Sequence, residues 1–265
     1  MGIYNCASTL QEALDSLYAQ TFQDFEIILC DDGSQDNTYE VALENAQKHK
    51  NIVLLRNEKN LGLNATLNKC LEVAQGEYIA RMDGDDISLP TRFEEQINFL
   101  KEHPELSLVS SAMIMFDEHG DWGKTTMIEF PQRNDFINHS PFFTHASVVV
   151  KRSVYLDVGG YTVGKRYIRV EDCHLWYKIY AAGYKGGNIL EPLYKMRDDR
   201  SAAGRRKFQH RLNGIYVAIE GFRLLKMPWY YYIFIVKKFI LTTIKGLIPS
   251  SISDNLRKRK FNSEC

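Results

Sequence analysis

Three groups of carboxylates stand out for the chemistry they could do. Asp31 and Asp32 close an apolar run in EIILCDDGSQD (26–36). Asp83, Asp85 and Asp86 close another in GEYIARMDGDDISLPTR (76–92), and Glu171 and Asp172 sit in VEDCHLW (170–176). A lone pair of aspartates in a loop is usually turn chemistry or a helix cap. Two such clusters on one sheet edge are different, because carboxylates gathered in a small volume repel one another unless a metal cation or cationic ligand offsets part of their charge. The third pair has two readings. Acidic residues at a helix N-terminus are stabilised by the helix dipole whatever else they do, so spacing leaves helix-start chemistry and acid–base work both open.

The elements that would position these groups follow from periodicity. To about residue 115, short apolar runs alternate with longer amphipathic ones, the pattern of βαβ units around a mostly parallel sheet. A helix with Leu10, Ala13, Leu14 and Leu17 on one face is predicted after Ser8 or Thr9, with Thr9 and Glu12 spaced as a capping box. Strands are predicted over 25–30, 52–55, 77–82 and 106–116, and helices over 37–49, 63–74 and after Pro90. Both aspartate clusters then fall at C-terminal ends of core strands, the edge where ligands bind in open α/β sheets. Farther on, 146–150 reads as a strand and 171–182 as a helix opened by Glu171 and Asp172.

Composition sets the frame. With 265 residues, 45% hydrophobic and 25% charged, the chain is globular rather than disordered or collagen-like. The five cysteines are scattered and include no C-x-x-C pair, so they read as reduced thiols rather than zinc or redox chemistry. No signal peptide opens the chain, and a cytosolic setting is expected. The net charge of zero conceals a division: residues 1–194 hold 17 basic and 28 acidic side chains, residues 195–265 hold 16 and 5. Within that basic end, 229–248 is long enough to cross a bilayer, but Lys237, Lys238 and Lys245 each cost ~2.5–3.5 kcal/mol near the centre of a spanning helix. Wound as a helix, the stretch puts Trp229, Ile233, Val236, Ile240, Ile244 and Leu247 on one stripe, which suits a helix lying in the membrane interface. Arg257 to Lys260 add a cluster that anionic lipid attracts. The plainer alternative is an amphipathic helix packed on the main domain. No nucleic-acid-binding motif accompanies the positive charge. Two regions are therefore expected, a catalytic domain over 1–215 and an amphipathic, membrane-associating segment over 216–265.

Tyr4 and Asn5, EIILCDDGSQD, Asn60 to Gly62 with Asn68, GEYIARMDGDDISLPTR and VEDCHLW, in that order and spacing, resemble glycosyltransferase family 2 from residue 1 to about 195. The resemblance implies an α/β GT-A fold, a nucleotide-sugar donor and a divalent metal, Mn²⁺ or Mg²⁺. It implies inverting transfer of a sugar to a hydroxyl, plausibly on a lipid-linked glycan in surface-polysaccharide assembly at the inner face of the cell membrane. By it, the nucleotide site draws on Gly2, Tyr4, Asn5, Asp31, Asp32, Asn60, Gly62 and Asp83. Asp32 meets the base, and a carboxylate accepting the imide N–H of uracil points to UDP. Asp83 and Asp85 match the D-x-D motif, Asp85 as metal ligand and Asp83 on the ribose or the metal. Asp172 matches the catalytic base, with Glu171 and Trp176 on the acceptor side.

Two departures carry expectations of their own. Many members have a histidine shortly after a tyrosine and a basic residue, where this chain reads Tyr194, Lys195, Met196, Arg197. Arginine cannot ligate a metal, so Arg197, with Arg205 and Arg206, either holds the diphosphate by charge-assisted hydrogen bonds or belongs to a solvated basic loop. Only Met1, Gly2 and Ile3 precede Tyr4, where members have a full first strand, so the native chain is expected to begin upstream of Met1. An in-frame stop just before the Met1 codon would refute that. Competing functions are a sugar-phosphate nucleotidyltransferase, which lacks its glycine-rich arginine-containing loop here, and a catalytically silent nucleotide-sugar-binding protein.

Overall fold

The apolar spacing of the first predicted helix is realised in α1 (Ala7–Tyr18), whose Leu10, Ala13, Leu14 and Leu17 are all buried. The expected capping box does not form. Cys6 takes the cap position, and the Thr9 hydroxyl donates to the carbonyls of Cys6 (3.2 Å) and Gly84 (3.1 Å), tying the start of α1 to the D-x-D turn. The computed structural model describes residues 1–137, 142–198 and 208–247.

Strands β1 (Gly2–Ile3), β2 (Ile27–Asp31) and β3 (Ile52–Arg56) form a parallel sheet, with Ile3 opposite Asp31 and Cys30 opposite Leu55. Helices α2 (Thr38–Lys48) and α3 (Leu63–Val73) connect and cover them. The remaining strands are β4 (Tyr78–Ala80), β5 (Ile87–Ser88), β6 (Leu108–Asp117), β7 (Gly120–Lys124), β8 (Val149–Lys151) and β9 (Gly186–Arg197), and α4 (Arg92–Glu102) precedes β6. They form a second sheet in the order β4-β8-β6-β9-β5, with β7 on β6. Only β6 and β9 run parallel there, so the α/β class stands but the sheet is mixed rather than mostly parallel. A tight turn from β6 into β7 can only return antiparallel, whereas a parallel neighbour needs a long crossover. Strand β9 carries Gly186, Gly187 and Pro192, which break an apolar pattern; Pro192 sits where the register with β6 slips, the place a sheet tolerates proline.

Helices α5 (Arg152–Asp157), α6 (Glu171–Ala181), α7 (Phe208–Leu224) and α8 (Tyr232–Leu247) complete the described chain. The expected boundary at 215/216 falls inside α7. Val217, Ala218, Phe222, Leu225, Met227 and Ile235 are buried in the same cluster as Leu175, Trp176, Tyr177 and Ile179 of α6. Each large side chain fully buried there contributes ~1.5–3 kcal/mol, so this part of the C-terminal segment is core. Four cysteines, Cys6, Cys30, Cys70 and Cys173, are free thiols. Arg205, Arg206 and the 257–260 cluster lie outside the described residues.

Candidate active site

At the end of β2, Asp31 is fully buried and accepts from the Ser34 N–H, while the Arg56 guanidinium pairs with it at 3.3 Å and lies 4.0 Å over the Tyr39 ring. Asp32 is buried too. One oxygen accepts from Asn57 Nδ2 and Leu61 N (both 2.8 Å), the other from Gly62 N (2.9 Å), so Asp32 pins the 57–62 loop against the strand end. Gly33 follows at φ +71°, and a Cβ there would lie 2.8 Å from the Lys59 carbonyl carbon, so only glycine fits against the loop. Gly33, Ser34, Arg56, Asn57 and Glu58 line an open cavity of about 440 Å³, within the usual range for a small-molecule site.

Asn5, in the left-handed region at φ 48°, braces the same loop: its N–H donates to Ser34 Oγ (3.0 Å), and its Oδ1 accepts from Gln35 N (2.9 Å). Tyr4 and Asn60 are exposed nearby in sequence, and Gly62 begins α3. Gly2 is placed differently, in β1 opposite Cys30 with α3 packed over it. Of the expected nucleotide residues, Asn5, Asp31, Asp32 and Gly62 thus gather at the β2 turn as braces of that turn, while Gly2 does not.

Just beyond β4 the Arg81 N–H still bonds the Val148 carbonyl at 2.9 Å, and Arg81 and Asp83 stand two residues apart. Both oxygens of Asp83 are taken by Arg81, Nη1 to Oδ2 and Nη2 to Oδ1, each at 2.6 Å. Asp85 is exposed and its carboxylate makes no hydrogen bond to another residue among those described; desolvation and then the charge of Asp83 push that carboxyl above the usual range. Asp86, absent from the expected site, is buried. It accepts from Tyr194 Oη (2.9 Å) and Arg197 N (2.8 Å), and burial followed by the charges of Asp83 and Asp85 pushes it up to about 8. Arg197 does reach this turn, with Nε on the Asp85 carbonyl at 2.9 Å. Its guanidinium also pairs with Glu12 and covers the Phe116 ring, so part of the expected diphosphate fork is already engaged.

The third carboxylate pair opens α6, entered through Arg169 at φ +66°. Burial raises the Asp172 carboxyl, partly offset by the Cys173 N–H and the Arg81 charge; burial and the charge of Asp172 raise Glu171. Arg81 therefore lies within electrostatic reach of both the D-x-D cluster and the α6 pair. Trp176 is not on the acceptor side. Although its place one helical turn past Asp172 puts it on the same helix face, it is fully buried in the core, edge-on to Phe143 with ring centroids 5.3 Å apart.

Sequence reasoning missed four other participants. Asn57 holds Asp32, Asp86 holds β9, Arg81 holds Asp83, and the half-buried His145 shares a 2.8 Å hydrogen bond with Tyr161 Oη. Tyr161 is placed by the Asn68 amide, which exchanges two 2.8 Å bonds with its backbone. Arg81 had a readable signal, a charged residue two positions before the D-x-D aspartate; His145 had none.

Among the described residues no three histidines, cysteines or carboxylates converge as a ready-made metal cage. A bare Asp85 in a carboxylate-crowded cleft does fit Mn²⁺ or Mg²⁺ held by one or two carboxylates plus substrate phosphates, the usual arrangement for Mg²⁺.

The glycosyl transferase family 2 model matches residues 1–171. The chain is 36% identical over 265 residues to "Putative glycosyltransferase EpsE" of Bacillus subtilis, covering all of this chain and 94% of that one. It is 34% identical over 201 residues to the UDP-Gal:alpha-D-GlcNAc-diphosphoundecaprenol beta-1,3-galactosyltransferase of Escherichia coli, covering 74% and 71%. Among solved structures, S. aureus TarS 1–349 with UDP-GlcNAc superposes with a TM-score of 0.65 at 19% identity, over 83% of this chain and 64% of that one. The Pyrobaculum calidifontis mannosyltransferase PcManGT with GDP-Man and Mn²⁺ gives 0.58 at 18%, over 97% and 78%. At these identities the two structures speak for the fold, GT-A.

Proposed function

This chain belongs to glycosyl transferase family 2, and from that premise we propose that it moves a sugar from a UDP-sugar to a hydroxyl of a lipid-linked glycan, with inversion at the anomeric carbon. The observation that carries the reading is that a D-x-D carboxylate without a hydrogen-bond partner among the described residues, Asp85, and a half-buried helix-start carboxylate, Asp172, both lie within electrostatic reach of one guanidinium, that of Arg81. The base occupies the cavity beside Gly33 and Asn57, where Asp32 keeps one acceptor position for an imide N–H. Asp85 holds the divalent ion, which when bound offsets the charge growing on the departing diphosphate. Asp83 contacts the ribose or the ion, and Arg197 keeps the D-x-D turn against β9 and turns a remaining donor to the phosphates. Asp172 takes the proton of the acceptor hydroxyl while that oxygen bonds the anomeric carbon, and the bond from that carbon to the phosphate oxygen breaks, releasing UDP. Glu171 positions the acceptor. The lipid-linked acceptor is argued from the E. coli relatives, whose names specify GlcNAc-diphosphoundecaprenol and the donors UDP-Gal and UDP-Glc.

A thermal-shift screen of UDP-, GDP- and dTDP-sugars with Mn²⁺ tests the donor, since a ligand specific to the folded state raises stability by ~2.7 kcal/mol at a hundred times its Kd. UDP-sugars are expected to shift the transition most; a larger shift with GDP-sugars would overturn the UDP reading.

We also place the chain at the inner face of the cell membrane. No described helix is long and apolar enough to cross a membrane. Yet Trp229 is 84% exposed, and Ile233, Val236 and Ile240 follow it, also exposed, at helical spacing. Such a stripe beside lysines suits the interface of an anionic bilayer. The full chain is expected to float with phosphatidylglycerol vesicles, and Ile233→Glu to reduce flotation; equal recovery of both would count against this contact.

A further inference from the structure

The two aspartates of the D-x-D motif are in opposite states. The Asp85 carboxylate has no hydrogen-bond partner among the described residues, whereas that of Asp83 is doubly held by Arg81, with both Nη–O distances at 2.6 Å. Arg81 is a built-in feature rather than a passing surface contact. It is 7% exposed, its N–H bonds the Val148 carbonyl at 2.9 Å, and its own carbonyl accepts from the buried Arg92 at 2.7 Å. Its Nε has no partner, so the fork's hydrogen bonds go to Asp83 alone. A divalent ion arriving by itself therefore meets one available carboxylate, because the second already has a resident cation in the bidentate geometry that suits a guanidinium. Hard cations of this kind need several oxygen ligands.

We propose that Arg81 acts as the standing cation of Asp83, making tight metal binding conditional on the nucleotide diphosphate, so that ion and donor enter together. Without nucleotide, the Arg81–Asp83 pair competes with the metal. With nucleotide, phosphate oxygens supply the ligands that Asp83 withholds. Arg81 is a positioning residue in this scheme. The proposal rests on the reading of the D-x-D aspartates as a metal site, and it adds an order of binding and the residue that imposes it.

The test reads metal uptake rather than turnover. Mn²⁺ is titrated into the full chain with and without UDP, free Mn²⁺ being followed by electron paramagnetic resonance. In the wild type, UDP is expected to tighten Mn²⁺ binding by about tenfold or more, and by linkage Mn²⁺ tightens UDP by the same factor. Arg81→Gln should tighten Mn²⁺ binding in the absence of UDP by about tenfold, the scale of effect expected when a charge at hydrogen-bond distance is removed, and should shrink the gain from UDP. A merely structural arginine would leave Mn²⁺ affinity unchanged or weaken it, and either result in a folded Arg81→Gln protein overturns the proposal. Should Arg81→Gln fail to fold, Arg81→Met decides, since methionine removes the charge and keeps an unbranched apolar stem in the buried site: tighter Mn²⁺ alone supports the proposal and wild-type affinity refutes it. A wild type that takes up no Mn²⁺ even with UDP removes the metal reading itself, and this proposal with it.

Discussion

Asp172→Asn is expected to lower sugar transfer by ~10²- to 10⁴-fold, the usual worth of a positioned general base, while UDP binding is retained. Asparagine has the shape of the aspartate and can still accept from the N–H groups at the start of α6, but it cannot take a proton from a hydroxyl. The environment suits the role: burial raises this carboxyl, and a base of higher pKa draws a hydroxyl proton more strongly. The sign of the pH dependence follows. The group works ionised, so kcat falls as pH falls through its pKa, and the acid limb is displaced above the ~3.9 of a free aspartate. In Asp172→Asn that limb disappears from the residual rate. Turnover of the wild-type size in the variant would move the role elsewhere, with Glu171 the first candidate.

Trp176→Ala should cost ~3–5 kcal/mol of stability, the range for emptying a large aromatic site in a core. The side chain is wholly buried among Phe143, His145 and the residues of α6 and α7, and the void would open one turn from Asp172. Trp176→Phe separates packing from acceptor contact. The indole N–H has no hydrogen-bond partner among the described residues. Phenylalanine removes that unsatisfied donor, whose burial costs ~1–3 kcal/mol, and this offsets part of the lost volume. The Phe variant is therefore expected to keep its KM for acceptor and most of its stability in chemical denaturation. A tenfold rise in acceptor KM without loss of stability would return Trp176 to the acceptor side.

Helical spacing in Leu10, Ala13, Leu14 and Leu17 was enough to place α1, and the apolar runs before the aspartates were enough to place the two loops that carry them. Both rest on local periodicity, which a single chain segment carries within itself. What could not be read are features that depend on distant partners. The antiparallel half of the second sheet depends on which strands meet, and β9 was hidden because Gly186, Gly187 and Pro192 erase its alternation. Asp32 seemed free to meet a base, yet it is mostly occupied by amides 25 to 30 residues away. The resemblance put Trp176 on the acceptor side, whereas its indole is packed among distant rings, Phe143 and His145, that the local sequence does not announce. The basic end of the chain was expected to be separate, but Gly221 of α7 lies so near the Tyr177 ring of α6 that an added Cβ would sit 2.3 Å from its carbons. Such a close approach leaves α7 part of the same body as α6.

That seam between α6 and α7 bears on the order in which a working molecule can come into being. The helix carrying Asp172 is covered by side chains as late as Ile235. At ~5–20 residues per second on the ribosome, roughly sixty residues separate the base from its cover, a gap of about 3–12 s. During that interval the parallel sheet β1–β3, complete by Arg56, can already be folded, and the D-x-D turn gains its anchor when β9 is made. Synthesis thus yields a nascent chain whose first sheet is built before α6 has its cover, and that cover closes only when the last helices emerge.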